Sequence, residues 1–274
     1  MNIDPNHKGM HPADKRNLII FVLVSLLIWY GFEHFVLGPR MEAAQKQQAA
    51  IEAAAPQTTT STEATDKVLP RTEKLAETQR IAITSPELVG SLPVVGNRLD
   101  DLSLKNYYVD LKDTTPVVLM SPVETSHPHY AETGWLADSQ NTKVPDKDTV
   151  WSIHGNDKLT PSTPVTMTWS NGAGLTFERT YALDDHFMFT VTQKVTNTGT
   201  QAVDLYSYTS LTRKGLPNAH GRGVGYEGPM GYIADKLNEI SYKELEKEGI
   251  KKFTSLSGWI GFGEKYWLSA IVPE

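Results

Sequence analysis

The chain has 274 residues, a formal net charge of −6, 39% hydrophobic residues and no cysteine. An acidic balance without Lys/Arg clusters argues against nucleic acid and against docking on anionic lipid. The absence of Cys rules out a disulfide framework, a thiolate metal centre and a cysteine nucleophile, and it suits an oxidising compartment.

Residues 1–16 read as a short cytoplasmic N-terminus ahead of an apolar run, Asn17 to Leu37. A cleavable export signal ends in small residues, whereas this run passes into Trp29, Tyr30, Phe32, Glu33, His34 and Phe35, too bulky for a signal-peptidase site. At ~1.5 Å per residue a helix over 17–37 rises about 32 Å, enough to cross a hydrocarbon core of about 30 Å. The reading is therefore an uncleaved membrane helix. Trp29 and Tyr30 lie toward one interface, and Lys8, Lys15 and Arg16 before the helix hold the N-terminus in the cytoplasm. The charges up to Leu37, three basic and three acidic, cancel, so the net −6 belongs to the exported part.

Residues 38–67 read as a tether. Met41 to Ala55 is rich in the helix formers Ala, Gln and Glu, Pro56 stops that tendency, and the Thr-rich run beyond it has no apolar periodicity.

From Val68 to Glu274 the pattern is that of strands. Leu175, Phe177, Arg179 and Tyr181 alternate with polar residues, and so do Phe187, Phe189, Val191 and Val195. Asn171-Gly172 and Asp184-Asp185 mark turns, so 165–170, 175–183 and 186–197 form an antiparallel meander. Further strands are expected at 102–108, 117–120, 150–154, 202–210, 259–262 and 266–272. One helix stands out, opened by the Ser241–Glu244 capping box and stopped at Gly249. The fold class is mainly β: a large antiparallel β-sandwich of two packed sheets, preceded by one transmembrane α-helix and a tether.

The chemical motifs are weak. Gly223–Gly228 fits G-x-G-x-x-G, but no strand leads into it and Pro229 follows where a phosphate-binding helix would continue, so it reads as a loop. His127 and His129 flank Pro128 without a third metal ligand at comparable spacing. Asp100 and Asp101 are adjacent and point apart on an extended chain. Turn formation and a salt bridge to Arg98 account for them better than an acid/base dyad. Trp259, Tyr266 and Trp267 read as core aromatics rather than as a ligand cleft.

Five blocks occur in order: Gly90–Leu111 with NRLDDLSL, Val117–Pro122, His127–Trp135, Tyr226–Ile233 with YEGPMGYI, and Ser257–Pro273 with the GW and KYW elements. Together they resemble the periplasmic domain of the bacterial membrane-protein insertase family YidC, in its alphaproteobacterial form. The residues carrying the resemblance are Gly90, Gly96, Arg98, Asp100, Asp101, Leu102, Gly134, Trp135, Glu227, Gly228, Gly258, Trp259, Lys265, Tyr266 and Trp267. They are expected to define the fold rather than a catalytic, cofactor or metal site.

The resemblance implies a β-supersandwich related to sugar mutarotases, on the periplasmic side of the bacterial inner membrane. It implies no cofactor and no enzymatic activity. It also implies partners: nascent membrane proteins, the Sec translocon with its accessory subunits, and the lipid bilayer. In that family the inserting groove is built by further membrane helices after the periplasmic domain, and no groove residue maps onto this chain. The expected role is thus the anchor and the periplasmic docking or chaperone domain of an insertase. The alternative is a membrane-anchored sugar-binding or mutarotase-like protein using a His (127, 129, 154 or 186) and a carboxylate (Glu132, Asp157 or Glu178) as acid and base.

Overall fold

The computed structural model describes residues 20–27, 29–30, 68–110, 112, 114–215 and 226–274. The chain divides into two compact units, Met1–Ala55 and Pro56–Glu274. In the first, residues 20–27 and 29–30 are helical, with Phe21, Leu23, Leu27 and Trp29 exposed. The rest of the helix expected over 17–37, and the tether, lie outside the described residues. Among the described residues no helix is long and apolar enough to cross a membrane.

The second unit contains α1 (Arg71–Leu75), β1 (Arg80–Thr84), β2 (Leu88–Pro93), β3 (Arg98–Leu99), β4 (Leu102–Tyr108), β5 (Pro116–Met120), β6 (His129–Ala137), β7 (Ser152–Thr160) and β8 (Thr163–Ser170). It continues with β9 (Leu175–Leu183), β10 (Phe189–Asn197), β11 (Leu205–Arg213), β12 (Gly228–Ile233), β13 (Lys236–Glu239), α2 (Tyr242–Glu248), β14 (Gly258–Gly263) and β15 (Leu268–Ile271). Eight strands form one sheet in the order β10-β9-β8-β7-β1-β2-β4-β5, three form β11-β6-β3, and four form β13-β12-β14-β15.

The meander is explained by its turns. Asn171 Oδ1 accepts the backbone N–H groups of Ala173 and Leu175, and Asp184 Oδ1 those of His186 and Met188. These side chains do the work of a backbone turn, leaving β8, β9 and β10 paired in continuous antiparallel register. The helix is as expected: the Ser241 hydroxyl accepts from Glu244 N–H, and Gly249 closes α2 at φ 73°.

One pairing departs from the antiparallel pattern. β1 and β7 pair in parallel, with Ala82 opposite Lys158 and Ile83 opposite Leu159. A parallel pair needs a long crossover, and here the chain from β2 through β6 supplies it. The pattern hides this, since Ile81, Ile83 and Leu159 are buried whichever way the strands run.

The core lies where the eight-stranded sheet meets β6. Leu175, Phe177, Arg179, Tyr181 and Leu183 all point inward from β9. Phe177 sets its edge against Trp135 of β6 at 5.1 Å between ring centroids. Trp135 in turn faces Trp151, the residue just before β7, at 6.5 Å. Arg179 is 1% exposed and spans the two sheets. Its Nη2 donates to the Thr133 carbonyl of β6 at 2.6 Å and to Asn97 Oδ1 at 3.3 Å. Its guanidinium lies 4.7 Å from the Trp151 ring centre and 5.5 Å from that of Trp135.

The aromatic assignment at the C-terminal end also needs correction. Tyr266 is 68% exposed, because the chain turns there (Glu264 N–H bonds the Trp267 carbonyl) instead of running as a strand from 266. Trp259 is only partly buried, and Trp267 packs against the edge of the core. Likewise Phe187 is 49% exposed, lying in the Asp184 turn ahead of β10.

Burial sets the expected mutational costs. Trp135→Ala should lower stability by about 3–5 kcal/mol, as for a buried aromatic, and the half-buried Trp259→Ala by about 1–2 kcal/mol. Urea unfolding of the two variants checks this ranking, and equal costs would mean that the β14 face is covered as fully as the core.

Candidate functional site

Two groups of residues stand out, a buried charge cluster around the β3–β4 corner and a cavity beside β5. The corner carries Asp100 and Asp101, 6% and 5% exposed. Neither meets Arg98, contrary to expectation. Asp100 pairs with Arg80 of β1, and Asp101 with Arg71 of α1. Arg98 instead donates from Nε to Glu132 Oε2 at 3.1 Å and lies over the Tyr130 ring at 4.7 Å. Strand pairing explains the exchange: Arg98 sits directly opposite Glu132 in the β3–β6 register, a relation that sequence adjacency cannot reveal.

The cluster is tied together by Ser91, which receives Arg80 Nε at 2.7 Å and donates to Asp101 Oδ2 at 2.5 Å. Burial pushes the Asp100 carboxyl above its ordinary range, against the opposing pull of Arg80. Gly90 permits this corner: a Cβ there would collide with the Asp101 carbonyl and the Leu102 backbone. Gly96 is held at φ 81°, with the Lys147 carbonyl 2.8 Å from where a Cβ would stand. Its carbonyl receives Trp151 Nε1–H at 2.8 Å.

The other resemblance-bearing residues are dispersed through the fold. Leu102 and Trp135 are core. Gly134 leaves room for the Tyr208 ring, 2.7 Å from its would-be Cβ, and that phenol donates to Glu132 Oε1 at 2.8 Å. Gly228 opens β12 and Gly258 opens β14, paired across the sheet with Gly263 and Ile233 respectively. Glu227, Lys265, Tyr266 and Trp267 come together on the wall of the cavity.

That cavity has a volume of about 450 Å³ and lies between the β4–β5 hairpin, the His127–His129 segment and the Glu264–Trp267 turn. Tyr108, Val118 and Tyr266 stand exposed around it, and Trp267 meets the edge of Tyr107 at 5.0 Å. Deeper in, Arg213 pairs with Glu264. His129, 3% exposed, donates from Nδ1 to the Thr212 carbonyl at 2.9 Å. A carbonyl can only accept, so Nε2 is left as a lone-pair acceptor, and it has no partner among the described residues. Burial first, and then the Arg213 charge, lower the His129 pKa from 6.5 to about 4. Sequence reasoning missed Arg213 and Glu264: the strand expected to end at 210 in fact runs to Arg213 in register with His129.

The structure does not assemble the acid/base pairs weighed from sequence. The His127 ring meets the Ser126 hydroxyl, His129 a carbonyl, and His154 the Thr168 hydroxyl at 2.7 Å. Glu132 is engaged by Arg98 and Tyr208, and Glu178 lies 3.8 Å from Lys194. Among the described residues no group of three or more His, Asp or Glu is arranged to hold a metal ion. Of the Gly223–Gly228 motif, positions 223–225 lie outside the described residues, and Tyr226 donates its hydroxyl to the Pro229 and Ile240 carbonyls.

Comparison with known proteins gives a consistent result. Residues 80–274 match the family model of the YidC periplasmic domain. The chain is similar to the proteins named membrane protein insertase YidC of Bradyrhizobium diazoefficiens (36% identity over 96% of this chain and 46% of the relative) and of Beijerinckia indica (39%, 95% and 47%). It is also similar to that of Methylobacterium radiotolerans (38%, 95% and 48%). The chain thus spans about half the length of the curated relatives it matches.

The His129 environment sets a pH dependence. Its folded pKa of about 4 lies below the ordinary 6.5, so the unfolded chain binds the extra proton. The associated stability is complete above pH 6.5 and declines as pH falls toward 4, by up to about 3 kcal/mol. Chemical denaturation across pH 4–7 should show this slope in the wild type and a shallower one in His129→Leu. An unchanged slope would place the titration elsewhere.

Proposed function

The chain belongs to the YidC periplasmic domain family, and we propose that it is the anchored, exported portion of a membrane-protein insertase. In this reading residues 1–16 lie in the cytoplasm, 17–37 cross the bacterial inner membrane, 38–67 form a tether, and 68–274 form the periplasmic domain. The domain assists the insertion, folding and assembly of inner-membrane proteins as a docking or chaperone module, with or without the Sec translocon and its accessory subunits. It performs no enzymatic turnover. The observation carrying the proposal is the combined match: the family model over 80–274 and relatives named as insertases aligned along about 95% of the chain.

The physical task of an insertase is to lower the cost of carrying charged and polar flanks of a substrate helix through hydrocarbon, several kcal/mol per group. That needs a polar path inside the bilayer. In the expected span, Ser25 is the polar residue near the middle of an otherwise apolar run, so we place the path in the half of the relatives' length that this chain does not cover. What the chain offers is a rigid β-domain on the exported side, where emerging loops arrive. The sugar-binding or mutarotase alternative is not favoured, since the relatives carry the insertase name and the histidines weighed for it meet hydroxyls and a carbonyl.

Two assays follow. Liposomes containing this chain alone should insert no single-span substrate, and measurable insertion would overturn the division of labour. Substituting this chain for the matching half of the Beijerinckia indica insertase should restore growth and insertion in cells depleted of their own insertase. A stably produced chimera that fails to do so would contradict the proposed role.

A further inference from the structure

We infer that the cavity beside β5 is a binding site for a short, extended, uncharged segment of polypeptide, which pairs along β5 and seats an apolar side chain between Tyr108 and Trp267. The inference rests on the insertase reading for its choice of partner, because exported loops of membrane proteins are the extended chains such a domain meets.

Four observations carry it. First, six buried side-chain polar atoms lack a partner among the described residues, and three of them, Arg71 Nε, His129 Nε2 and Arg213 Nε, belong to residues lining this one cavity. Buried polar groups are seldom left unpaired, so their concentration marks a place where hydrogen bonds are held in reserve. Second, the reserve is two-sided: His129 Nε2 accepts, and both arginine Nε–H groups donate. A peptide unit, carrying one N–H and one C=O, meets both demands, whereas a carboxylate or phosphate offers no donor to the imidazole.

Third, the charges on the wall balance, with Glu227 and Lys265 one of each sign and both arginines in ion pairs. Arg71 is paired with Asp101 and Arg213 with Glu264, which disfavours a strongly charged occupant. Fourth, β5 is the outermost strand of the eight-stranded sheet. Beyond it the nearest bridge joins Ser121, the residue after the strand, to His129, so its outer edge over 117–119 has no strand beside it among the described residues. An open edge is a template for strand addition, with affinity from the main chain and selectivity from side-chain pockets. It is also what separates a peptide from a polyol, which cannot continue a ladder. The volume of about 450 Å³ suits one or two residues of a bound strand rather than a folded partner. Each reserve atom has less than 1 Å² of its own surface open to solvent, so a peptide engages it through a rotamer change of the kind common at interfaces.

The test is a fluorescence-anisotropy titration of the full chain in detergent micelles. The probe is a labelled, acetylated and amidated peptide of alternating Thr and Val with one central Phe. Saturable binding is expected, weakened about tenfold by His129→Leu, the equivalent of one lost hydrogen bond. Tyr266→Ala should weaken it by about threefold or more. Because Tyr266 is 68% exposed, that variant folds whatever His129→Leu does. Failure to saturate, insensitivity to both substitutions, or displacement of the probe by maltotriose would overturn the inference. The wild-type chimera separates it from the insertase reading: growth without peptide binding by the domain sinks the cavity inference alone, whereas a stably produced but dead chimera with intact peptide binding sinks the insertase role alone.

Discussion

A guanidinium almost closed off from water, hydrogen-bonded to a carbonyl and a side-chain amide and lying over two indole rings, joins the two main sheets of this domain. Arg179 projects from the centre of β9 into the position that a large apolar residue would ordinarily fill. Burying a charge without a counter-charge costs several kcal/mol. The domain offsets that cost with the Thr133 carbonyl and Asn97 amide oxygen and with cation–π contacts to Trp135 and Trp151. The contacts come from β6, from the β2–β3 connection and from the residue entering β7. One side chain therefore fixes the spacing of the eight-stranded sheet from the three-stranded one.

The rest of the architecture follows outward from that junction. Asn97 is positioned by the turn at Gly96, whose carbonyl also holds the Trp151 indole. Directly after it, Arg98 pairs across to Glu132, and the chain then delivers Asp100 and Asp101 to Arg80 and Arg71. Arg71 lines the cavity with His129, the first residue of β6. The strand holding one end of the Arg179 contact thus begins at the histidine that forms the cavity's inner wall. The cavity is positioned by the sandwich itself.

Much of this architecture was legible in the residues. Period-two alternation marked β9 and β10, the turn at Asn171 set β8 beside them, and the inward face of β9 included Arg179. Asn171 and Asp184 announced the turns, and the Ser241–Glu244 pair announced α2. What alternation cannot encode is which strand lies beside which. The parallel β1–β7 pair, the Arg98–Glu132 partnership and the meeting of Arg213 with His129 all depend on register between distant segments. The misassigned aromatics have a related cause. Tyr266 and Trp267 are adjacent in sequence, and a turn there sends one outward and the other against the core. The cavity was invisible for the same reason, being built from β4, β5, β6, β11 and the Glu264–Trp267 turn, each unremarkable alone.

The junction of the two sheets depends on Arg179 and its indole cage acting as one unit. A double-mutant cycle with Arg179→Met and Trp151→Leu, read by urea unfolding of the chain, measures this directly. The two side chains in contact should show a coupling energy of about 1–2 kcal/mol, the range for a desolvated cation over an aromatic face. Costs that add to within about 0.5 kcal/mol would contradict the claim that this buried cation holds the two sheets together.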